Sequence, residues 1–121
     1  MFDNLPGALA QSRAGTMRAI GVTSPERWPG LPNIPAIAET VPGFAAVIFY
    51  GMSAPKDTPK EIVETLNKAV GEALKDPKLV ARLTEIGGIP KPMTPAEFGK
   101  LVVDETDKWR KVVEFAGVSV D

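Results

Sequence analysis

Residues 44–74 read FAAVIFYGMSAPKDTPKEIVETLNKAVGEAL, and this stretch decides the expected fold. Residues 44–50 are apolar on both alternations, which is typical of a strand covered on both faces. Gly51 and Pro55 then interrupt the apolar run, and Thr58-Pro59-Lys60-Glu61 predicts a capping box that opens a helix. The following apolar residues recur at helical spacing and predict one stripe that packs on the strand. That stripe consists of Ile62, Val63, Leu66, Ala69, Val70, Ala73 and Leu74.

The N-terminal part of the chain predicts a helix, a strand and a long loop. Residues 5–14 are expected to form a short helix that Gly15 ends in the left-handed conformation. Residues 16–23 predict a strand that ends at a Ser-Pro step. Residues 25–43 are rich in proline, so an extended loop with one helical turn near residues 35–40 is expected. The residues expected to hold this loop against the body are Trp28 and Leu31.

The C-terminal part predicts two helices and two short strands. Asp76-Pro77 should cap a helix over residues 78–86, and residues 89–93 read as an edge strand between prolines. Thr94-Pro95-Ala96-Glu97 is a second capping box and opens the final helix. Residues 118–120 are expected to add a last strand. The predicted helix stops are Gly87-Gly88 and Gly117.

Composition excludes several classes of function. The chain has 121 residues, enough for one domain with a hydrophobic core. Its formal net charge is −1 and its basic residues are not clustered, so no nucleic-acid partner is expected. It contains no Cys and no His, which removes disulfides and the commonest metal ligand and general base. No apolar run reaches the roughly 18 residues of a membrane span.

The remaining residues predict no catalysis. A nucleophile would have to be Ser or Thr activated by Lys, or a carboxylate pair would have to act as acid and base. The acidic pairs lie on the outward faces of predicted helices, which indicates solvated surface. We therefore expect no enzyme activity, no metal site and no cofactor. The acidic pairs in question are Glu61/Glu64, Asp104/Glu105 and Asp104/Asp107.

Three short segments are the candidates for binding an anion. The helix starts at Thr58 and Thr94 are excluded, because side-chain caps and acidic residues occupy their donors. Each candidate also has a structural alternative: Val22-Thr23-Ser24 as a strand end and turn, Asp3-Asn4 as a helix cap, and Tyr50 as a core residue. The candidate segments are Val22-Thr23-Ser24, Asp3-Asn4 and Tyr50-Gly51.

Four linked motifs resemble one receptor family over essentially the whole chain. They are FDNLPGALAQSRAGTMRAIGVTSPERWPGLPNIPAIAETVPGF, YGMSAPKDTPKEIVETLNKAV, ALKDPKLVARLTEIGG and MTPAEFGKLVVDETDKWRKVVEFAGV. The sequence resembles the C-terminal part of the periplasmic solute receptors of tripartite tricarboxylate transporters, also called Bug proteins. Signal peptide and earlier βα units would then lie upstream.

The resemblance implies most of domain 1 of a type II periplasmic-binding-protein (Venus flytrap) fold, an α/β fold with a mixed sheet flanked by helices. Residues 1–14 would be a remnant of domain 2 and the hinge approach, and residues 15–121 the C-terminal portion of domain 1. The expected ligand is a small organic carboxylate or amino acid, delivered to membrane transporter subunits. Homodimer formation through exposed sheet edges is a further expectation. Matched to the family's motifs, the ligand-binding candidates are Phe2, Asp3, Asn4, Val22, Thr23, Ser24, Tyr50 and Gly51.

A stand-alone α/β protein-interaction module is the alternative from another class. In that case a protein partner would cover the apolar edge of the sheet. An enzyme based on Ser or carboxylate chemistry is disfavoured, because the common bases are missing.

Overall fold

The computed structural model describes residues 1–118, and in this range the chain forms four α-helices, one 3-10 turn and no β-strand. The 3-10 turn spans Ile37–Glu39. The helices are α1, Leu5–Arg13; α2, Lys60–Ala73; α3, Pro77–Glu85; and α4, Pro95–Ala116. None of the helices described is long and apolar enough to span a membrane.

The chain folds as two compact units. Met1–Tyr50 and Lys75–Pro90 form the first unit, which contains α1, the 3-10 turn and α3. Gly51–Leu74 and the chain from Lys91 onward form the second unit, in which α2 and α4 contact each other. Asn67 on α2 donates a hydrogen bond to the carbonyl of Met93 over 2.8 Å, which ties α2 to the segment leading into α4.

Three of the four predicted helices begin or end where local chemistry indicates. Gly15 follows α1 with φ of 73°, and the Asp76 carboxylate accepts a hydrogen bond from Lys78 N at 2.8 Å at the start of α3. At the start of α4, Thr94 Oγ1 accepts from Glu97 N at 3.2 Å and Glu97 Oε2 accepts from Thr94 N at 2.8 Å. This reciprocal pair confirms the predicted capping box.

The capping box predicted at Thr58 is wrong. α2 begins at Lys60, and its N-cap is Pro59, which has no side-chain hydrogen bond to offer. The Thr58 hydroxyl instead donates to the carbonyl of Pro55 over 2.8 Å. The same four-residue pattern therefore caps α4 but not α2, because α2 begins one residue too late for Thr58 to be its N-cap.

The predicted mixed sheet flanked by helices is also wrong for residues 1–118. Residues 16–23, 44–50 and 89–93 contain no strand, and a single parallel bridge joins Val22 to Ala36. A strand exists only where its backbone pairs with a second strand. The strand predicted at residues 118–120 lies largely outside the described residues.

The apolar segment that was expected to form the buried strand is half-buried at residues 44–46 and exposed at residues 47–50. Ile48 has 59% of its surface accessible and Tyr50 has 85%. Ala46 N donates to the Thr23 carbonyl over 2.9 Å, and Phe44 N donates to the Val41 carbonyl over 3.1 Å. An apolar segment favours burial, but it becomes buried only where other parts of the protein pack against both of its faces.

The small core explains the large exposed area of the chain. Among residues 1–118 the buried hydrophobic residues are Leu9, Trp28 and Ala36, all in the first unit. The accessible surface is 9684 Å². A compact protein of this mass exposes about 6,300 Å², and two separate compact units of this size would expose about 7,600 Å². Large apolar side chains of α2 and α4 are among the exposed residues, including Ile62, Leu66 and Trp109.

Candidate functional site

The segment Val22-Thr23-Ser24, here called the Val22–Ser24 turn, is held by backbone hydrogen bonds. Val22 N donates to the Pro35 carbonyl over 2.9 Å, and Ile37 N donates to the Val22 carbonyl over 3.0 Å. Ala46 N donates to the Thr23 carbonyl over 2.9 Å. The turn is therefore fixed on both sides by residues distant in sequence.

Two backbone donors in this turn have no hydrogen-bond partner within residues 1–118, those of Thr23 and Ser24. Both residues are half-buried. Consecutive backbone N–H groups in a turn can bind an anion without a cationic side chain. The Val22 N–H, by contrast, is already bonded to Pro35.

The Ser24 hydroxyl is committed to the turn itself. Ser24 Oγ donates to the Glu26 carbonyl over 2.6 Å. A hydroxyl has one proton to donate, so Ser24 can offer a carboxylate ligand its N–H while this bond is intact, but not its Oγ–H.

An ion pair between Arg27 and Glu39 holds the loop that supports this turn. Arg27 Nε and Nη2 donate to Glu39 Oε1 and Oε2, each over 2.7 Å. Arg27 Nη1 also donates to the Pro32 carbonyl over 3.1 Å. Glu39 Oε1 accepts a third hydrogen bond from Ala36 N at 2.8 Å. The side chains of the pair are roughly half exposed.

This arrangement shifts the ionisation of both partners. The hydrogen bonds from Arg27, reinforced by that from Ala36 N, lower the pKa of the Glu39 carboxyl from 4.5 to about 2. The same hydrogen bonds raise the pKa of the Arg27 guanidinium. Both groups are therefore charged at neutral pH, and the pair is a bidentate fork of the strong kind.

Close packing of side chains against glycine residues also stabilises this proline-rich loop. Trp28 is buried, and its ring lies where a side chain at residue 30 would be, since a Cβ on Gly30 would be 1.9 Å from Trp28 Cη2. A Cβ on Gly21 would be 3.3 Å from Ile37 Cγ1. The prediction that Trp28 anchors this loop is confirmed, whereas Leu31 is only half-buried.

The candidates at the N-terminus cluster at the start of α1. Phe2 is 80% exposed. Asp3 Oδ1 accepts from Asn4 N at 2.8 Å, and the Asn4 carbonyl accepts from Gly7 N and Ala8 N. Asn4 is the N-cap of α1, but its side chain makes no capping hydrogen bond. Among residues 1–118 its amide group has no hydrogen-bond partner, so its donors and acceptor are available to a ligand.

Tyr50 and Gly51 fall in different units. Tyr50 belongs to the first unit, and its 85% exposure shows that the core alternative for this residue is wrong. Gly51 belongs to the second unit, where a Cβ at this position would lie 2.0 Å from Phe98 Cζ. Gly51 is therefore required for close packing against an aromatic ring of α4.

The hydrogen bonds of residues 1–118 do not join these candidate segments to one another. Asp3 bonds to Asn4 and Asn4 bonds to α1, whereas the Val22–Ser24 turn bonds to residues 26, 35, 37 and 46. The ligand-binding role of all eight candidates stays a prediction.

Three acidic residues of α4, Asp104, Glu105 and Asp107, are paired with bases of the same helix. Asp104 accepts from Lys100 over 2.5 Å, and Asp107 accepts from Arg110 over 3.0 Å. Glu105 accepts from Lys108 over 3.0 Å. These pairs are mainly exposed, as expected for a solvated helix face. Within residues 1–118, acidic residues form no group that could hold a metal ion.

Sequence reasoning missed Arg27 and Glu39. They are twelve residues apart in a proline-rich loop, so no helical or strand periodicity connects them. The available signal was the glutamate three residues after Ala36, which resembles the spacing of a capping box. It predicts the Ala36 contact but not the arginine.

The family model for the tripartite tricarboxylate transporter family receptor matches residues 1–118. This chain belongs to that receptor family. The resemblance to Bug proteins is confirmed by a relative named "Protein BugT" from Bordetella pertussis, 31% identical over 120 residues. The "UPF0065 protein in tcbD-tcbE intergenic region" of Pseudomonas sp. strain P51 is 36% identical over 115 residues.

These relatives are longer than this chain. The matches cover 98% and 93% of this chain but only 37% and 34% of BugT and the Pseudomonas protein, respectively. A solved structure titled "Structure of a periplasmic transporter" matches with a TM-score of 0.86 and 36% identity. That match covers 99% of this chain and 40% of the other. The chain thus spans about a third of the two relatives' length.

Proposed function

We propose that this chain is part of a periplasmic receptor that captures a small organic carboxylate or amino acid for a tripartite tricarboxylate-type transporter. The observation that carries this proposal is the family match over residues 1–118. The names of BugT and of the similar periplasmic transporter structure support it. A signal peptide upstream of these residues would direct the receptor to the periplasm.

The candidate residues have the chemistry that such a ligand requires. The backbone N–H groups of Thr23 and Ser24 can donate to a carboxylate, and the Asn4 side-chain amide adds a neutral donor. Asp3 would repel a carboxylate but would attract the ammonium group of an amino acid. The ligand would therefore be held by neutral donors. Asp3 would make the site bind amino acids more tightly than simple dicarboxylates.

The proposed mechanism is ligand capture without catalysis. In the whole receptor, residues 1–14 would belong to one lobe and residues 15–121 to the other. Contacts made only in the closed form would shift an open–closed equilibrium toward closure. The closed receptor would then dock on membrane transporter subunits.

NMR titration of the ¹⁵N-labelled chain with succinate, 2-oxoglutarate and glutamate tests this proposal. We expect saturable shifts of the Thr23 and Ser24 amide signals, and such shifts register even weak, roughly millimolar binding. Succinamide, which lacks the carboxylates, is the matched control and should give none. Ser24→Ala keeps the backbone N–H, so its binding should persist. Absence of a saturable shift with all three acids would overturn the proposal.

A second candidate is an interaction module that buries its exposed apolar surface against a protein, including a second copy of the chain. The large accessible area supports it, as do the exposed apolar side chains of α2 and α4. Sedimentation velocity over increasing concentration tests the homodimer. Self-association without any response to the acids would favour the module over the receptor.

A further inference from the structure

The Glu39 carboxylate connects two parts of the loop at one point. Its Oε1 accepts from Arg27 Nε at 2.7 Å and from Ala36 N at 2.8 Å. Ala36 is buried, so its N–H has few alternatives to this carboxylate. The ion pair therefore fixes the backbone at Ala36 and not merely two side chains.

Ala36 lies between the two residues that hold Val22. The Pro35 carbonyl accepts from Val22 N at 2.9 Å, and Ile37 N donates to the Val22 carbonyl over 3.0 Å. The Ala36 N–H that bonds to Glu39 is thus in the same peptide unit as the Pro35 carbonyl and one unit before the Ile37 N–H. Any shift of Ala36 must move both bonds and, with them, the residues after Val22.

The proline content of the loop explains why side chains, and not only backbone hydrogen bonds, hold its backbone in place. Proline lacks an N–H, so it cannot donate the backbone hydrogen bonds that stabilise ordinary loops. Arg27 compensates by reaching the Glu39 carboxylate with two nitrogens and the Pro32 carbonyl with a third. Only the planar guanidinium can make all three contacts in this geometry.

We propose that the Arg27–Glu39 pair positions the Val22–Ser24 turn, so that the N–H groups of Thr23 and Ser24 are held in place for a carboxylate. Arg27 and Glu39 are positioning residues, since they act through Ala36 and make no contact with the ligand. The assignment of the carboxylate to this turn rests on the proposed function, whereas the effect of the pair on the turn does not.

Amide exchange in the full chain without ligand tests the positioning directly. The reporters are the amides of Val22, Ala36, Ile37 and Ala46, whose hydrogen bonds depend on this arrangement. Glu39→Gln should accelerate their exchange by about tenfold, because local opening becomes easier. Arg27→Lys keeps the charge but loses the fork, and it should accelerate exchange in the same way. α1 amides, in the same unit, should be unchanged in both variants.

The matched control is Glu85→Gln on α3. Arg82 Nη1 donates to Glu85 Oε2 over 2.7 Å, so this pair has the same length and lies in the same unit. It joins residues three apart on one helix and touches no loop backbone. Glu85→Gln should leave the four reporter amides within about twofold of the parent. Equal exchange in the Glu39, Arg27 and Glu85 variants, with α1 intact, would overturn the positioning role.

A succinate titration separates this inference from the proposed function. If the parent chain shifts the Thr23 and Ser24 amides, Glu39→Gln should weaken that binding by about tenfold relative to Glu85→Gln. Unchanged affinity in Glu39→Gln would refute the role of the pair in binding. If the parent shows no shift with any acid while the exchange effect is present, the proposed function fails and the positioning of the turn stands.

Discussion

Replacement of Gly30 by alanine should displace the Trp28 ring from its packed position and destabilise the first unit. The added Cβ would lie 1.9, 2.0 and 2.5 Å from three carbons of the Trp28 ring. Carbon atoms in contact are about 3.5–4 Å apart, so the ring must withdraw by about 1.5–2 Å. Because Trp28 is one of three buried hydrophobic residues in the described part of the chain, this movement opens the core of the unit.

The expected cost follows from the packing. Overfilling a packed site typically costs about 1–3 kcal/mol. Complete expulsion of the ring would expose about 150–250 Å² and cost about 4–6 kcal/mol, which sets the upper bound. We expect about 2 kcal/mol, the middle of the range for overfilling a packed site.

Urea unfolding in a Trp109→Phe background measures this effect, since Trp28 is then the sole tryptophan. Gly30→Ala should lower the free energy of unfolding and shift Trp28 emission to longer wavelength. The control is Gly99→Ala in α4, where an added Cβ meets nothing within 4 Å. Alanine should stabilise that helix by about 0.5–1 kcal/mol. A Gly30→Ala protein with unchanged stability and emission would refute the packing described for Trp28.

Three further predictions concern the helix caps, ionisation and the exposed surface. Thr94→Ala should lower stability by about 1 kcal/mol in urea unfolding, whereas Thr58→Ala should have little effect on α2; equal losses would contradict the cap assignment. The folded-state pKa of Glu39 is about 2, below its usual 4.5, so its contribution is complete above pH 4.5 and lost as pH falls toward 2. The thermal midpoints of the parent and Glu39→Gln should therefore differ near neutral pH and converge near pH 2; a difference constant with pH would exclude this linkage. The chain should bind a hydrophobic dye and self-associate as its concentration rises, and a dye-negative monomer at all concentrations would contradict the exposed apolar surface.

Local signals in the sequence predicted most of the helical structure. Gly15, Asp76 and Gly117 mark helix ends because glycine adopts the left-handed conformation easily and aspartate accepts from the first free N–H groups. Thr58 failed as a predictor because α2 begins at Lys60 and its N-cap is Pro59, which leaves Thr58 one residue before the cap position. A capping pattern shows that a cap can form, but the residue at which the helix begins decides whether the side chain is in place to accept.

The site was predicted less completely than the helices. The sequence selected the Val22–Ser24 turn, and the structure shows two donors there without a partner among residues 1–118. It did not reveal the Arg27–Glu39 pair, because contacts over twelve residues in a loop leave no periodic pattern. The family resemblance rested on the order of whole motifs, and that information survives even where individual structural predictions fail.

The sequence by itself determined most helix positions and the absence of Cys and His chemistry, because capping, spacing and composition act over a few residues. The order of its motifs along the chain determined the receptor family. Tertiary structure alone decided how exposed residues 44–50 are and how the Trp28 ring packs against Gly30. It also decided that Glu39 is connected through Ala36 to Val22. The physical reason is that pairing and burial need a second surface. An apolar run or a charged side chain carries no information about which distant residue will meet it.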